Sequence, residues 1–143
     1  MRIGDPPSTN PDDFAFTHRV RVRFSETDAM GVVHHSRYLP YLEEARVAYL
    51  RASGHPYHET RDGGTDFAII EQWISYIRPL HFDEEVDVHL GLAQLTRATF
   101  QMHYVLTVAG EVRASAITAH SAVNNDGRPV RVPAWLSEFV QPD

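Results

Sequence analysis

The run Phe24-Ser25-Glu26-Thr27-Asp28-Ala29-Met30-Gly31-Val32-Val33-His34-His35-Ser36-Arg37-Tyr38 gathers the residues of this chain best suited to chemistry. Asp28 falls in a turn between a strand and a helix, and Gly31 lets the backbone bend closely there without a Cβ penalty. The helix begins near His35 and Ser36, and the first turn of a helix leaves amides unpaired at its positive end. Such amides bind anions, including an oxyanion that develops during reaction. A carboxylate beside them suffices to hydrolyse an activated acyl group such as a thioester. A thiolate, whose thiol pKa lies near ~8.5, leaves without help from a strong acid. Asp28 can attack the carbonyl carbon or take a proton from a water that does. By spacing alone, a turn-forming aspartate is the plainer reading.

Other reactive patterns are missing. The sequence contains no Gly-x-Ser-x-Gly, His-Glu-x-x-His or Gly-x-Gly-x-x-Gly motif. His34 and His35 are adjacent, so their side chains are expected to diverge; no third ligand is evident and no metal is expected. His55 and His58 have ligand-like spacing but are interrupted by Pro56. His81, His89, His103 and His120 read as ordinary surface or partner-facing residues. Glu43 and Glu44 suit the start of a helix and a solvated face. Glu71, inside an apolar strand, is the second candidate for an acid or base.

The 143 residues suit one domain, with an expected flexible lead-in over 1–15 and a single domain over 16–143. The charge of −6 argues against a nucleic-acid partner. All 13 basic residues are arginine, which removes Schiff-base and P-loop lysine chemistry. With no cysteine there is no disulfide, thiol nucleophile or thiolate metal site, and a cytoplasmic setting is expected. No apolar run reaches the ~18 residues of a membrane span.

The elements that must hold Asp28 follow from periodicity. Arg19, Arg21 and Arg23 alternate with Val20, Val22 and Phe24, a half-buried strand. Tyr38, Tyr41, Leu42, Ala45, Ala48, Tyr49 and Ala52 form a helical stripe, with Ser36 as N-cap, Pro40 in the first turn, and Gly54 and Pro56 as terminators. A mobile polar loop is expected over 58–66. Four strands follow, around 67–77, 84–92, 100–108 and 112–123, with Ala109-Gly110 as a tight turn. This is an α+β domain with an antiparallel sheet. One helix covers a sheet face only partly, and the 67–77 strand is apolar on both parities. A second copy of the chain is therefore expected as a further cover.

The run from Thr27 to Tyr38, with Tyr41-Leu42-Glu43-Glu44-Ala45-Arg46, resembles the hotdog-fold acyl-CoA thioesterases of the 4-hydroxybenzoyl-CoA thioesterase-like family. The resemblance extends over nearly everything after Thr17, including Tyr76-Ile77-Arg78-Pro79-Leu80 and Asn124-Asn125-Asp126-Gly127-Arg128. It implies a hotdog fold, a five-stranded antiparallel sheet wrapped around one long central helix. It also implies an acyl-CoA or acyl-carrier-protein thioester as substrate, no cofactor beyond the substrate's own coenzyme A, and a dimer or dimer of dimers. Asp28 becomes the catalytic carboxylate, and the backbone near His35 polarises the thioester carbonyl. The His35 side chain matches a histidine of the tol-pal-associated branch. Gly31 belongs to the substrate loop, and Arg128 lies where the family holds the nucleotide phosphates, with Arg97 on a similar rim. His34 stands where an aromatic is more usual.

Two other readings compete. A hotdog hydratase or dehydratase would carry Asp-x-x-x-x-His, whereas Val33 occupies that fifth position after Asp28. A non-catalytic acyl-CoA-binding regulator would be expected to carry a DNA-binding helix pair or basic arm, and neither is present.

Overall fold

The computed structural model describes residues 2–140. Its elements are β1 (Phe16–Arg21), α1 (Tyr38–Ala52), α2 (Tyr57–Asp62), β2 (Asp66–Tyr76), β3 (Glu85–Leu95), β4 (Thr99–Val108) and β5 (Glu111–Val123). All strand pairs are antiparallel, in the order β1-β3-β4-β5-β2. The helical stripe buries Tyr38, Tyr41, Leu42, Ala45 and Tyr49 against Val86, Val88, Leu90, Tyr104 and Leu106. None of the helices is long and apolar enough to cross a membrane.

Local chemistry moves several boundaries. The first strand stops at Arg21 because the chain turns into a 3-10 segment at Phe24–Glu26, where the Glu26 carboxylate accepts from the Arg23 amide at 2.7 Å. Phe24 is therefore 75% exposed rather than part of the core, packed edge-on to Phe82 at 5.6 Å. The expected loop over 58–66 contains α2, which starts behind Pro56 with Glu59 in its first turn. Gly54, at φ +85°, and Pro56 end α1 as expected. Ala109 and Gly110, both at positive φ, make the tight turn before β5.

The two faces of the sheet are covered differently. Helix α1 packs over β1 and β3. On the opposite face Val105, Ile117 and Ala119 are fully buried although they lie outside the helix-side core. The chain's own leading segment reaches that face. The Gln101 side chain donates to the Arg2 carbonyl at 3.1 Å, Pro7 is buried, and the Asp12 carboxylate acts on His89. What stays bare is the β2 edge, with Ile69, Ile70 and Tyr76 exposed. The second face thus draws cover from the chain itself, where the sequence pointed only to another copy.

Candidate active site

The turn that carries Asp28 is built by its own backbone. Thr27 bridges Val33, the Asp28 amide donates to the Val32 carbonyl at 2.8 Å, and the Gly31 amide donates to the Asp28 carbonyl at 3.0 Å. Gly31 sits at φ +79°, where a Cβ would strain the turn. The Asp28 side chain closes the bend: Oδ1 accepts from the Met30 amide at 2.8 Å and the Val32 amide at 3.4 Å. Oδ2 has no hydrogen-bond partner among the described residues. The carboxylate shapes the turn with one oxygen and keeps the other free.

A buried acid, Glu26, and a half-buried one, Glu84, brace this loop from behind. Glu26, 9% exposed, accepts from the Tyr41 hydroxyl at 2.8 Å, and its carbonyl takes the His34 amide at 2.9 Å. Burial, then Glu26, pushes the Tyr41 phenol well above its ordinary range. Glu84 receives two 2.9 Å bonds from Arg113, which also donates to the Pro79 carbonyl at 2.8 Å. Arg113 holds the Glu84 carboxyl below its usual range. The neighbouring Leu80 carbonyl accepts from the Val33 amide at 2.8 Å, fixing the loop to the sheet.

The chain passes from this loop into α1 through a 3-10 turn, His35–Arg37. His34, rather than Ser36, caps it, with Nδ1 accepting from the Ser36 amide at 3.2 Å. The His35 amide has no acceptor among the described residues, so an unpaired N–H stands at the helix start. The His34 and His35 rings pack 4.2 Å apart instead of diverging, yet no group of three metal-capable side chains occurs among the described residues. Beside His35 a crevice of about 220 Å3 runs between Tyr38, Tyr76 and Ile77.

Asp28, Gly31 and His35 thus share the one loop that leads into α1. Arg97 and Arg128 are both exposed at one end of the sheet, near the β3–β4 turn and past the end of β5, where the Val132 amide donates to the Arg97 carbonyl at 2.8 Å and the Asn124 amide to the Arg128 carbonyl at 2.9 Å. They lie at the opposite end of the sheet from Asp28, most of the length of β5 away, and that 13-residue strand spans about 40 Å at ~3.3 Å per residue. Glu71 is exposed on β2, and Glu44 meets His18 at 2.7 Å on the surface of α1. His55 stacks on Trp135 at 3.9 Å, a packing role.

His120 is not a surface residue. It is 2% exposed, stacked on Phe100 at 4.9 Å, and burial pushes its pKa down to about 3. Its parity with Ala114, Ala116 and Ala122, all buried, was the available signal. Glu26 had a weaker one, its place three residues after Arg23 at a chain reversal.

A five-stranded antiparallel sheet packed on one long helix is the hotdog fold, and the relatives of this chain that share it include thioester hydrolases. The model of the Thioesterase-like superfamily matches residues 22–140, and the chain belongs to that family. It is 30% identical over 131 residues to a 1,4-dihydroxy-2-naphthoyl-CoA hydrolase of Nostoc punctiforme, covering 85% of this chain and 86% of that one. A hypothetical protein from Aquifex aeolicus superposes with TM-score 0.83 at 41% identity, over 87% of this chain and 98% of that chain. The BH1999 gentisyl-coenzyme A thioesterase superposes at 0.81 with 25% identity, over 85% and 99% of the two chains.

Proposed function

We propose that this protein hydrolyses an acyl-CoA thioester to a free carboxylic acid and coenzyme A, with Asp28 as nucleophile or general base. The observation that carries the reading is the unpartnered Asp28 Oδ2 on the loop that runs directly into the unpaired His35 amide. The amide accepts charge on the carbonyl oxygen as the tetrahedral centre forms, and the thiolate departs as that centre collapses. Either Asp28 adds to the carbonyl carbon and water then cleaves the anhydride, or Asp28 takes a proton from the attacking water. Neither route calls for a cofactor, and both suit a cytoplasmic enzyme.

The working unit is a homo-oligomer. Antiparallel pairing of two bare β2 edges sets the start of one β2 against the end of the other. That pairing brings the partner's Arg97 and the partner's Arg128 to the Asp28 end, where guanidinium groups suit the nucleotide phosphates. A panel of acyl-CoA and acyl-carrier-protein thioesters, read by a free-thiol reagent, tests the reaction; the chain has no cysteine to add background. We expect thiol release from a subset of acyl-CoA substrates. Release from none, or hydration of crotonyl-CoA instead, overturns the assignment.

A further inference from the structure

Because α1 lies over β1 and β3, the β5–β2 side of the same face is left partly open. The gap is a cavity of about 290 Å3 between the flank of α1, helix α2 and the start of β2. Its walls include Leu50, Tyr57, Phe67, Phe100, Met102 and His120. Phe67 stands edge-on to Phe100 at 5.0 Å. A dry apolar space of about 150 Å3 already holds benzene, so this one has room for a substituted ring or a chain of several carbons.

Arg46 breaks the apolar wall. It is half-buried, and among the described residues its guanidinium makes one hydrogen bond, from Nη1 to the Tyr104 hydroxyl at 3.2 Å. No carboxylate among the described residues forms an ion pair with it, although Glu43 shares the wall. The interior offers it nothing more. Tyr104 Oη lies 2.6 Å from Thr118 Oγ1, and Thr118 Oγ1 lies 2.7 Å from His120 Nε2. A guanidinium only donates, so the Tyr104 hydroxyl donates to Thr118 Oγ1, and the Thr118 hydroxyl donates to His120 Nε2. Those acceptors are then spent, and Arg46 keeps a positive charge and four N–H groups to offer at the cavity wall. An anionic or hydrogen-bond-accepting oxygen is the ligand group that matches them.

We propose that this cavity receives the far part of the acyl group and that Arg46 holds an oxygen there, either a ring hydroxyl or a terminal carboxylate. The inference rests on the thioesterase reading and names the acyl class within it. Because the cavity borders Phe67 and Ile69 of β2, the edge pairing described above opens it toward the partner's Asp28. One copy supplies the reacting carboxylate and the other reads the acyl tail.

The test compares kcat/KM within two matched pairs, benzoyl-CoA against hydroxybenzoyl-CoA and hexanoyl-CoA against adipoyl-CoA. We expect the oxygenated member of one pair to be preferred at least tenfold, and the responding pair identifies the oxygen. In Arg46→Met the preference falls at least tenfold. Tyr104→Phe removes the internal bond of Arg46 but leaves its charge, and the preference persists. No preference in the parent, an unchanged one in Arg46→Met, or equal loss in Tyr104→Phe overturns the proposal. Thiol release from no substrate removes the underlying reading instead, and the proposal with it. Co-refolding Asp28→Asn with Arg46→Met tests the sharing of sites. Mixed dimers then contain one intact composite site, and the parent preference returns; a ratio as flat as that of Arg46→Met alone overturns the sharing.

Discussion

At its first turn α1 meets a polar loop in which the His35 amide and one oxygen of Asp28 are unsatisfied; at its last turns it meets Phe67, Phe100 and a histidine that burial keeps neutral. The first end is held by backbone hydrogen bonds and tied down by Glu26 and the Glu84–Arg113 pair. The second is held by ring packing around a cavity. Groups that react need fixed positions with open valences, which hydrogen-bonded turns provide. Groups that select need shape, which packed side chains provide. On the proposed function, the helix separates the two tasks along about 20 Å of its length.

That contrast breaks most sharply at Asp28. Asp28→Asn keeps an Oδ1 that accepts from the Met30 and Val32 amides, so the melting temperature should hold while kcat falls at least about a hundredfold. Parallel thermal melts and thiol-release rates check both halves. Tyr41→Phe attacks the bracing rather than the reagent. It leaves the buried Glu26 carboxylate one donor short, and urea unfolding should show a loss of about 1–3 kcal/mol.

At the far end the readout is pH. The folded-state pKa of His120 lies at about 3, below its ordinary 6.5, so the unfolded chain binds the extra proton between those values. Its contribution is fully present above about pH 6.5 and is lost as pH falls toward 3, with a slope of up to about 1.4 kcal/mol per pH unit. In His120→Asn, unfolding curves across that window should lose this component. Gly31→Ala gives the smallest expected change. Nothing lies within 4 Å of its added Cβ, so the cost is the positive φ alone, about 1 kcal/mol in unfolding free energy.

The two ends were not equally legible in the sequence. The stripe from Tyr38 to Tyr49, the strand alternation and the Asp28–Gly31 turn are local patterns, and local patterns are what a single sequence displays. The cavity depends on where α1 settles across the sheet, which no periodicity encodes, so Arg46 appeared only as part of a motif. His34 as a cap was hidden because histidine seldom takes that position, and Ser36 offered the commoner chemistry. Phe24 kept the alternation of its strand but left the core once the chain reversed at Glu26.

The leading segment across the outer face has a consequence of its own. Val105, Ile117 and Ala119 form an oily strip kept dry by a ribbon that is neither helix nor strand over most of its length. Chain shortened to begin at Phe14 would bare that strip, and sedimentation should show the trimmed protein assembling into larger species as concentration rises. The ribbon therefore works as a built-in stopper, laying a polar skin over a strip that would otherwise be sticky.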